Sequence, residues 1–121
     1  RFVRLSCADK YGMINCITCD KRKMWNEVDC GHFQTRGKLS VRWLYEPENG
    51  LINAAAQCKG CNMSNGGHSY QFGKKIDALY GSGKADTVVF MSNQIRKYSV
   101  QELRDMAASF EARAIAILQE I

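Results

Sequence analysis

The chain has 121 residues, a length that suits one domain, and 45% of them are hydrophobic, which is enough for a core of its own. No apolar run approaches the roughly 20 residues of a membrane-spanning helix, so we expect no membrane segment. The net charge of +5 lies in residues 1–42, which hold nine basic and four acidic side chains, whereas residues 43–121 hold eight of each. A basic half beside a neutral half is typical of a surface that faces phosphate, although a solvated basic face would give the same count.

The cysteines provide the strongest local signal. The chain has six of them, and four form two Cys-x2-Cys pairs: Cys16, Cys19, Cys58 and Cys61. Such pairs favour zinc and a reducing cytosol over a disulfide scaffold. Four thiolates close the coordination sphere of Zn²⁺, so we expect a structural site rather than a hydrolytic one. The alternative is that the four cysteines are reduced and bind no metal. The remaining two, Cys7 and Cys30, are interpreted as small apolar residues.

The first predicted elements are extended. Residues 1–13 are interpreted as a leading arm that forms a short strand or packs on the core. The side chains of residues 28–33 would alternate between the two sides of an extended chain, as in a strand. This strand ends near His32, and Gly31 would mark a bulge that re-aims the histidine.

A β-hairpin is predicted next. Residues 41–45 are apolar and aromatic, and residues 51–53 can pair back with them across the Asn-Gly turn signal at positions 49–50. A short helix is then predicted from about Cys58, ending at the glycine pair 66–67.

The C-terminal part is predicted to be helical. Residues 69–80 and 84–94 are expected to form two helices, the second supported more weakly because it contains a run of β-branched residues. Ser99 and Glu102 form a capping box at the start of the last helix, whose apolar residues recur every three or four positions. This pattern favours a helix that packs on the core, and an oligomer formed through it is the alternative.

These elements bring one histidine and one asparagine together. His32 would end the first strand facing the helix, and Asn62 would lie near the start of that helix. A histidine so placed can act as general base on a water that attacks phosphorus, with one Mg²⁺ or similar ion steadying the leaving 3′ oxygen. Taken alone, a histidine after a glycine is also typical of a hydrogen-bonded residue of the core.

The combined motifs resemble those of the NinG/Rap recombination endonucleases of lambdoid phages. The resemblance covers roughly residues 14–118 and is carried by two cysteine pairs, a Gly-His step and a Cys-Asn step: Cys16-Ile17-Thr18-Cys19, Asp29-Cys30-Gly31-His32-Phe33, Arg36, Arg42, Asn53, Gln57-Cys58-x2-Cys61-Asn62 and Gly67. That family is similar to the HNH, or ββα-metal, nucleases.

The resemblance implies a role for each matched residue. His32 would be the general base, and Asn62 would be a ligand of a catalytic Mg²⁺ or Mn²⁺. Asn53 would hold the hairpin loop, with Asn49 as a competitor for that role. Many HNH enzymes have an acidic residue or a histidine directly before the base, where this chain has Gly31. The nearest acid, Asp29, is therefore the expected second ligand of the catalytic ion.

The fold expected from the resemblance is a small α+β, zinc-stapled ββα-metal domain of the treble-clef type. It would span residues 1–121, with the zinc knuckles and the ββα core in residues 14–68 and the helical part in residues 69–121. The expected activity is metal-dependent cleavage of branched DNA, such as Holliday junctions and D-loops, during phage recombination in the cytoplasm of the host. A homodimer would supply two active sites for two symmetric cuts.

Basic residues near the motifs are the candidate phosphate contacts. They are Arg36, Lys38, Arg42, Lys21, Arg22 and Lys23. Two other classes of function remain open: a zinc-finger module that binds DNA without cutting it, and an interaction domain that docks through its last helix. The pairing of His32 with Asn62 favours the nuclease over the binding module, and the basic N-terminal half argues against the interaction domain.

Overall fold

The computed structural model describes residues 1–121, and a two-stranded antiparallel ribbon lies at its centre. Strand β3 (Asp29–His32) pairs with strand β6 (Ala54–Gln57) in an unbroken register. The bulge predicted at Gly31 is therefore wrong. Because side chains alternate along a regular strand, Asp29 and His32 lie on opposite faces of the ribbon.

A hairpin that carries the first cysteine pair packs beside the ribbon. Strand β1 (Met13–Asn15) pairs with strand β2 (Arg22–Met24), and a short 3₁₀ turn follows at Trp25–Glu27. The leading arm forms helix α1 (Phe2–Ser6) rather than the short strand that was one of its two predicted forms. Its role as a packing arm is confirmed, since the ring of Phe2 stacks on the ring of Phe110 with centroids 5.6 Å apart.

The predicted hairpin before the second cysteine pair exists, but it is shorter than expected. Strand β4 (Tyr45–Glu46) pairs with strand β5 (Leu51–Ile52) across a 3₁₀ turn. Most of residues 41–45 lie in turns instead of a strand, and the backbone N–H of Leu44 donates to the carbonyl of Val41 at 3.0 Å. Turn hydrogen bonds thus replace the strand pairing that the aromatic run suggested.

Four helices follow the ribbon, in the predicted order: α2 (Lys59–Met63), α3 (Asn65–Tyr80), α4 (Lys84–Ser92) and α5 (Val100–Leu118). The capping box is confirmed, because the Ser99 hydroxyl accepts from the Glu102 N–H at 3.0 Å and the Glu102 carboxylate accepts from the Ser99 N–H at 3.1 Å. None of the helices combines the length and the apolar composition that crossing a bilayer requires.

Helix α3 begins with a left-handed turn at residues 65–68. The φ angles of Asn65, Gly66, Gly67 and His68 are 45°, 62°, 73° and 53°. Glycine adopts this conformation freely, but each of the two other residues pays about 1–2 kcal/mol for it. The turn separates α2 from the regular part of α3, so the surrounding structure has to hold it in place.

The core lies on both faces of the ribbon. The larger cluster of buried side chains is formed by Ile17, Tyr45, Ile52, Ala55, Phe72, Ile76 and Ala85, and the smaller one by Ile14, Val28 and Ala56. Ala55 and Ala56 are neighbours on β6, so they face opposite ways and each joins a different cluster. Helix α5 is less buried than predicted, because only Ala114 is fully covered and its remaining apolar face is at most partly covered.

Candidate functional site

The four paired cysteines converge at one end of the ribbon. Their sulfur atoms all lie within 4.8 Å of one another, and none of the four forms a disulfide: Cys16, Cys19, Cys58 and Cys61. The first pair lies in the loop between β1 and β2, and the second pair lies at the end of β6 and in α2. This arrangement can hold one metal ion, as the spacing predicted.

Hydrogen bonds to Cys16 Sγ favour the thiolate form of this cysteine. The backbone N–H of Cys58 donates to Cys16 Sγ at 3.3 Å, and the Thr18 hydroxyl lies 3.5 Å from the same sulfur. Burial raises the pKa of Cys16, but these hydrogen bonds outweigh it and lower the pKa to about 6. Hydrogen bonds from Lys21 and Thr18 lower the pKa of Cys19 and Cys61, but burial and the neighbouring cysteine sulfurs outweigh them and raise it. Since the thiolate is the metal ligand, the hydrogen bonds prepare Cys16 for a cation.

A cleft of about 680 Å³ runs along the free edge of β3 and past the end of the ribbon that lies opposite the cysteines, where His32 pairs with Ala54. It brings together four of the residues that the sequence singled out: His32, Asn62, Arg36 and Arg42. The left-handed turn contributes Gly66 and Gly67 to the same lining, and helices α1 and α5 contribute aromatic side chains.

His32 is held by a single backbone acceptor. Its Nε2 lies 3.2 Å from the carbonyl oxygen of Arg42. Burial lowers the pKa of His32 below 6.5, the Arg42 carbonyl opposes this, and the charges of Arg36 and Arg42 lower it further. The ring is therefore neutral at pH 7. A carbonyl can only accept a hydrogen bond, so Nε2 carries the proton and Nδ1 keeps its lone pair.

Asn62 lines the cleft, but its side chain is held by Asp29, a residue outside the cleft. Its Nδ2 donates to Asp29 Oδ2 at 3.0 Å, and Lys59 Nζ lies 2.7 Å from Asp29 Oδ1. Lys59 is the main cause that lowers the pKa of Asp29, and burial partly opposes it. Asp29 itself does not line the cleft. The structure thus places Asp29 beside Asn62 and on the opposite face of the ribbon from His32.

Asn53 ties the loop that follows His32 to the neighbouring strand. Its side chain is fully buried; Oδ1 accepts from the backbone N–H of Gln34 at 2.7 Å, and Nδ2 donates to the Gln34 carbonyl at 3.1 Å. Asn49, the other asparagine considered for this position, is exposed and lies 3.4 Å from Glu46. Only Asn53 is therefore placed to hold that loop.

The basic candidates divide between two places. Arg36 and Arg42 line the cleft, whereas Lys38 is exposed outside it. Residues 21–23 lie on the hairpin at the cysteine end, where Arg22 forms an ion pair with Asp9 at 2.5 Å. Two of the six predicted phosphate contacts thus accompany His32, and the other four do not.

Sequence reasoning missed what two features contribute to the site. One is Gln57, a fully buried polar residue at the end of an alanine run; the other is the left-handed turn at residues 65–68. A signal existed for both, since a lone glutamine in a buried strand needs partners and the Asn-Gly-Gly sequence is typical of positive φ angles.

No protein-family model matches this chain, and neither a curated protein nor a solved structure matches it. The resemblance to the NinG/Rap endonucleases therefore stays an interpretation of the motif residues.

Proposed function

We propose that this protein is a metal-dependent DNA endonuclease of the HNH type. The observation that carries the proposal is the state of His32: a neutral imidazole in a basic cleft, with one nitrogen hydrogen-bonded to a backbone carbonyl and the other free to accept a proton. The chain order of strand, strand and helix, with His32 on the first strand and Asn62 on the helix, supports the same assignment.

In this proposal His32 is the general base. Its Nδ1 takes a proton from a water as that water attacks the phosphorus atom of the scissile phosphodiester. The Arg42 carbonyl accepts from Nε2 throughout, so it fixes the ring and stabilises the imidazolium that forms. Because the pKa is lowered, the base needs no prior deprotonation at neutral pH.

The catalytic divalent ion would draw few ligands from the protein. The cleft offers the amide oxygen of Asn62, whose Nδ2 is engaged by Asp29, and it contains no carboxylate. Oxygen donors of this kind suit Mg²⁺ or Mn²⁺, and phosphate oxygens and waters would complete the octahedral shell. When bound, such an ion would stabilise the charge on the leaving 3′ oxygen. We therefore propose that metal binding is weak without DNA.

The two arginines of the cleft would hold the DNA backbone. Arg36 and Arg42 both belong to the loop that follows His32 and line the cleft, so each could bind a phosphate next to the scissile one. At the opposite end of the ribbon, the four cysteines would hold a structural Zn²⁺ that fixes the ribbon to α2.

The preference for branched DNA rests on the resemblance alone. A homodimer with two such clefts would account for paired cuts across a four-way junction.

A second candidate, a zinc module that binds DNA without cutting, is favoured by one observation: the only cluster of potential metal-ligating His, Cys, Asp and Glu side chains is the four-cysteine site.

The experiment that tests the proposal compares the wild-type protein with His32→Ala on a synthetic four-way junction and on a matched duplex, with Mg²⁺ or Mn²⁺. We expect metal-dependent cutting by the wild type and a loss of roughly 10²- to 10⁴-fold in His32→Ala, the usual contribution of a general base. Faster cutting of the junction would support the branched substrate. Full activity in His32→Ala would remove this residue as the base.

Binding measurements separate the two candidate functions. Arg36→Ala and Arg42→Ala should each reduce the slope of log affinity for DNA against log salt concentration by about 1, the effect of losing one phosphate contact. Arg22→Ala, which removes a cation from the cysteine end, is the control and should change it less. Tight, salt-dependent binding without any cutting would favour the zinc-finger module.

A further inference from the structure

Gln57 is a fully buried carboxamide that contacts both the cysteine loop and the wall of the cleft. It ends strand β6 directly before Cys58, and the other three residues of that strand are alanines. Burying a carboxamide is unfavourable unless its polar atoms find partners. Its Nε2 donates to Thr18 Oγ1 at 3.1 Å and to the carbonyl oxygen of Gly67 at 2.8 Å.

The two partners of Gln57 belong to different parts of the site, the cysteine loop and the wall of the cleft. Thr18 lies between Cys16 and Cys19, and its hydroxyl is 3.5 Å from Cys16 Sγ. Gly67 lies in the left-handed turn and lines the cleft together with Asn62. One side chain therefore joins the cysteine loop to the wall of the cleft.

Gln57 also determines which residue can precede His32. Its side chain lies across Gly31, and a Cβ atom added at Gly31 would lie 2.0 Å from Gln57 Oε1 and 2.9 Å from both its Cβ and its Cδ. Real Cβ atoms do not approach other atoms that closely, so no larger residue fits while Gln57 stays in place. The acidic residue or histidine that stands before the base in many HNH enzymes is thus excluded here.

Stability alone does not explain a glutamine at this position. The Gly67 carbonyl needs a donor, so the amide must present Nε2 to it, and Oε1 is then buried without a partner in the protein. A buried acceptor left unpaired offsets much of what the two hydrogen bonds contribute. The left-handed turn, in contrast, needs such a contact, because Asn65 and His68 both have positive φ angles.

From these contacts we infer that Gln57 is a positioning residue. It holds the turn at residues 65–68 in a fixed position relative to the cysteine site and to the strand that carries His32. Through this turn it also fixes the Asn62 side of the cleft. The inference rests on the proposed nuclease function for its effect on catalysis. The mechanical coupling does not depend on that function and can be measured separately.

The first test replaces Gln57 by leucine, which has a similar size and no donor. Amide hydrogen exchange at residues 65–68 should become faster, while the absorption of a Co²⁺-loaded four-cysteine site stays that of the wild type. Cleavage should fall roughly 10- to 100-fold in kcat, with little change in KM, because misplacing a group by about 1 Å costs this much. Gln71→Leu, on the exposed face of α3, is the matched control and should change neither.

A double-mutant cycle keeps the inference testable if Gln57→Leu fails to fold. Gly31→Ala should lower the thermal midpoint strongly in the wild type and less in a Gln57→Ala background, where only the contact with Cβ at 2.9 Å remains. Additive effects of the two substitutions, or unchanged exchange at residues 65–68 in a folded Gln57→Leu, would overturn the inference. An inactive wild type with faster exchange in Gln57→Leu would instead remove the proposed function and leave the coupling intact.

Discussion

The two ends of the central ribbon are built in opposite ways. At the end where Asp29 pairs with Gln57, the chain continues into Cys58, and four sulfurs face one another within 4.8 Å. At the end where His32 pairs with Ala54, the ribbon borders a cleft of about 680 Å³ that contains two arginines. One end has its polar groups turned toward each other, and the other has them turned toward a space that a ligand can enter.

In the proposed function, this difference gives a structural role to one end and a catalytic role to the other. Four thiolates on one ion leave no coordination position for a substrate, so the cysteine end can stabilise the fold but cannot activate water. The cleft end has the reverse properties: a neutral histidine with a free nitrogen, few protein ligands for a metal, and a positive charge. Substitutions at each end therefore test whether the two ends can be separated by mutation.

The largest effect is expected from Cys58→Ser, at the cysteine end. In small zinc-finger peptides the apparent free energy of zinc binding is roughly 10–16 kcal/mol, comparable to the entire stability of a small domain. Loss of one thiolate should therefore unfold the ribbon and remove the zinc, as measured by metal content and circular dichroism. Cys7→Ser is the control, because Cys7 lies outside the cluster. A Cys58→Ser protein that stays folded and retains its zinc would contradict the assignment.

An intermediate effect is expected from Asn53→Ala, at the cleft end, where this side chain holds the loop that follows His32. The substitution leaves the N–H and the carbonyl of Gln34 without their partner, at a cost of about 2–4 kcal/mol in the free energy of unfolding. Asn49→Ala, on the exposed 3₁₀ turn, should change it by less than about 0.5 kcal/mol. Urea unfolding of the zinc-loaded proteins measures both, and equal losses would mean that Asn53 does not hold the loop.

Much of the fold could be predicted because its signals are local. The Cys-x2-Cys spacing, the strand ending at His32, the capping box at Ser99 and the order of the last three helices each depend on a few neighbouring residues. The aromatic run at residues 41–45 misled the strand prediction, because aromatic residues favour strands while the hydrogen bonds of this segment close turns instead.

The site was less predictable because its decisive contacts are distant in sequence. The ion pair of Asp29 with Lys59 joins residues that are 30 positions apart in the chain, and no local pattern indicates it. The same holds for the approach of Gln57 to Gly31, which excludes a side chain before His32. A single sequence showed that Asp29 was the nearest acid, but not that the ribbon would be regular and turn it away from His32.

The smallest effect is a change in the pKa of His32, and it tests the electrostatics of the cleft end alone. The wild-type pKa should lie below 6.5, because burial and the charges of Arg36 and Arg42 disfavour the imidazolium. Arg36→Ala removes one of these charges and leaves the Arg42 carbonyl in place, so it should raise the pKa of His32, by an amount that screening keeps small. The acid limb of the cleavage profile should move to higher pH by the same amount, since the neutral base is the active form. NMR titration of the free protein, with His68→Gln to assign the two histidine signals, measures the shift. Arg22→Ala, at the cysteine end, should leave it unchanged, and a wild-type pKa above 6.5 would contradict the proposed state of the base.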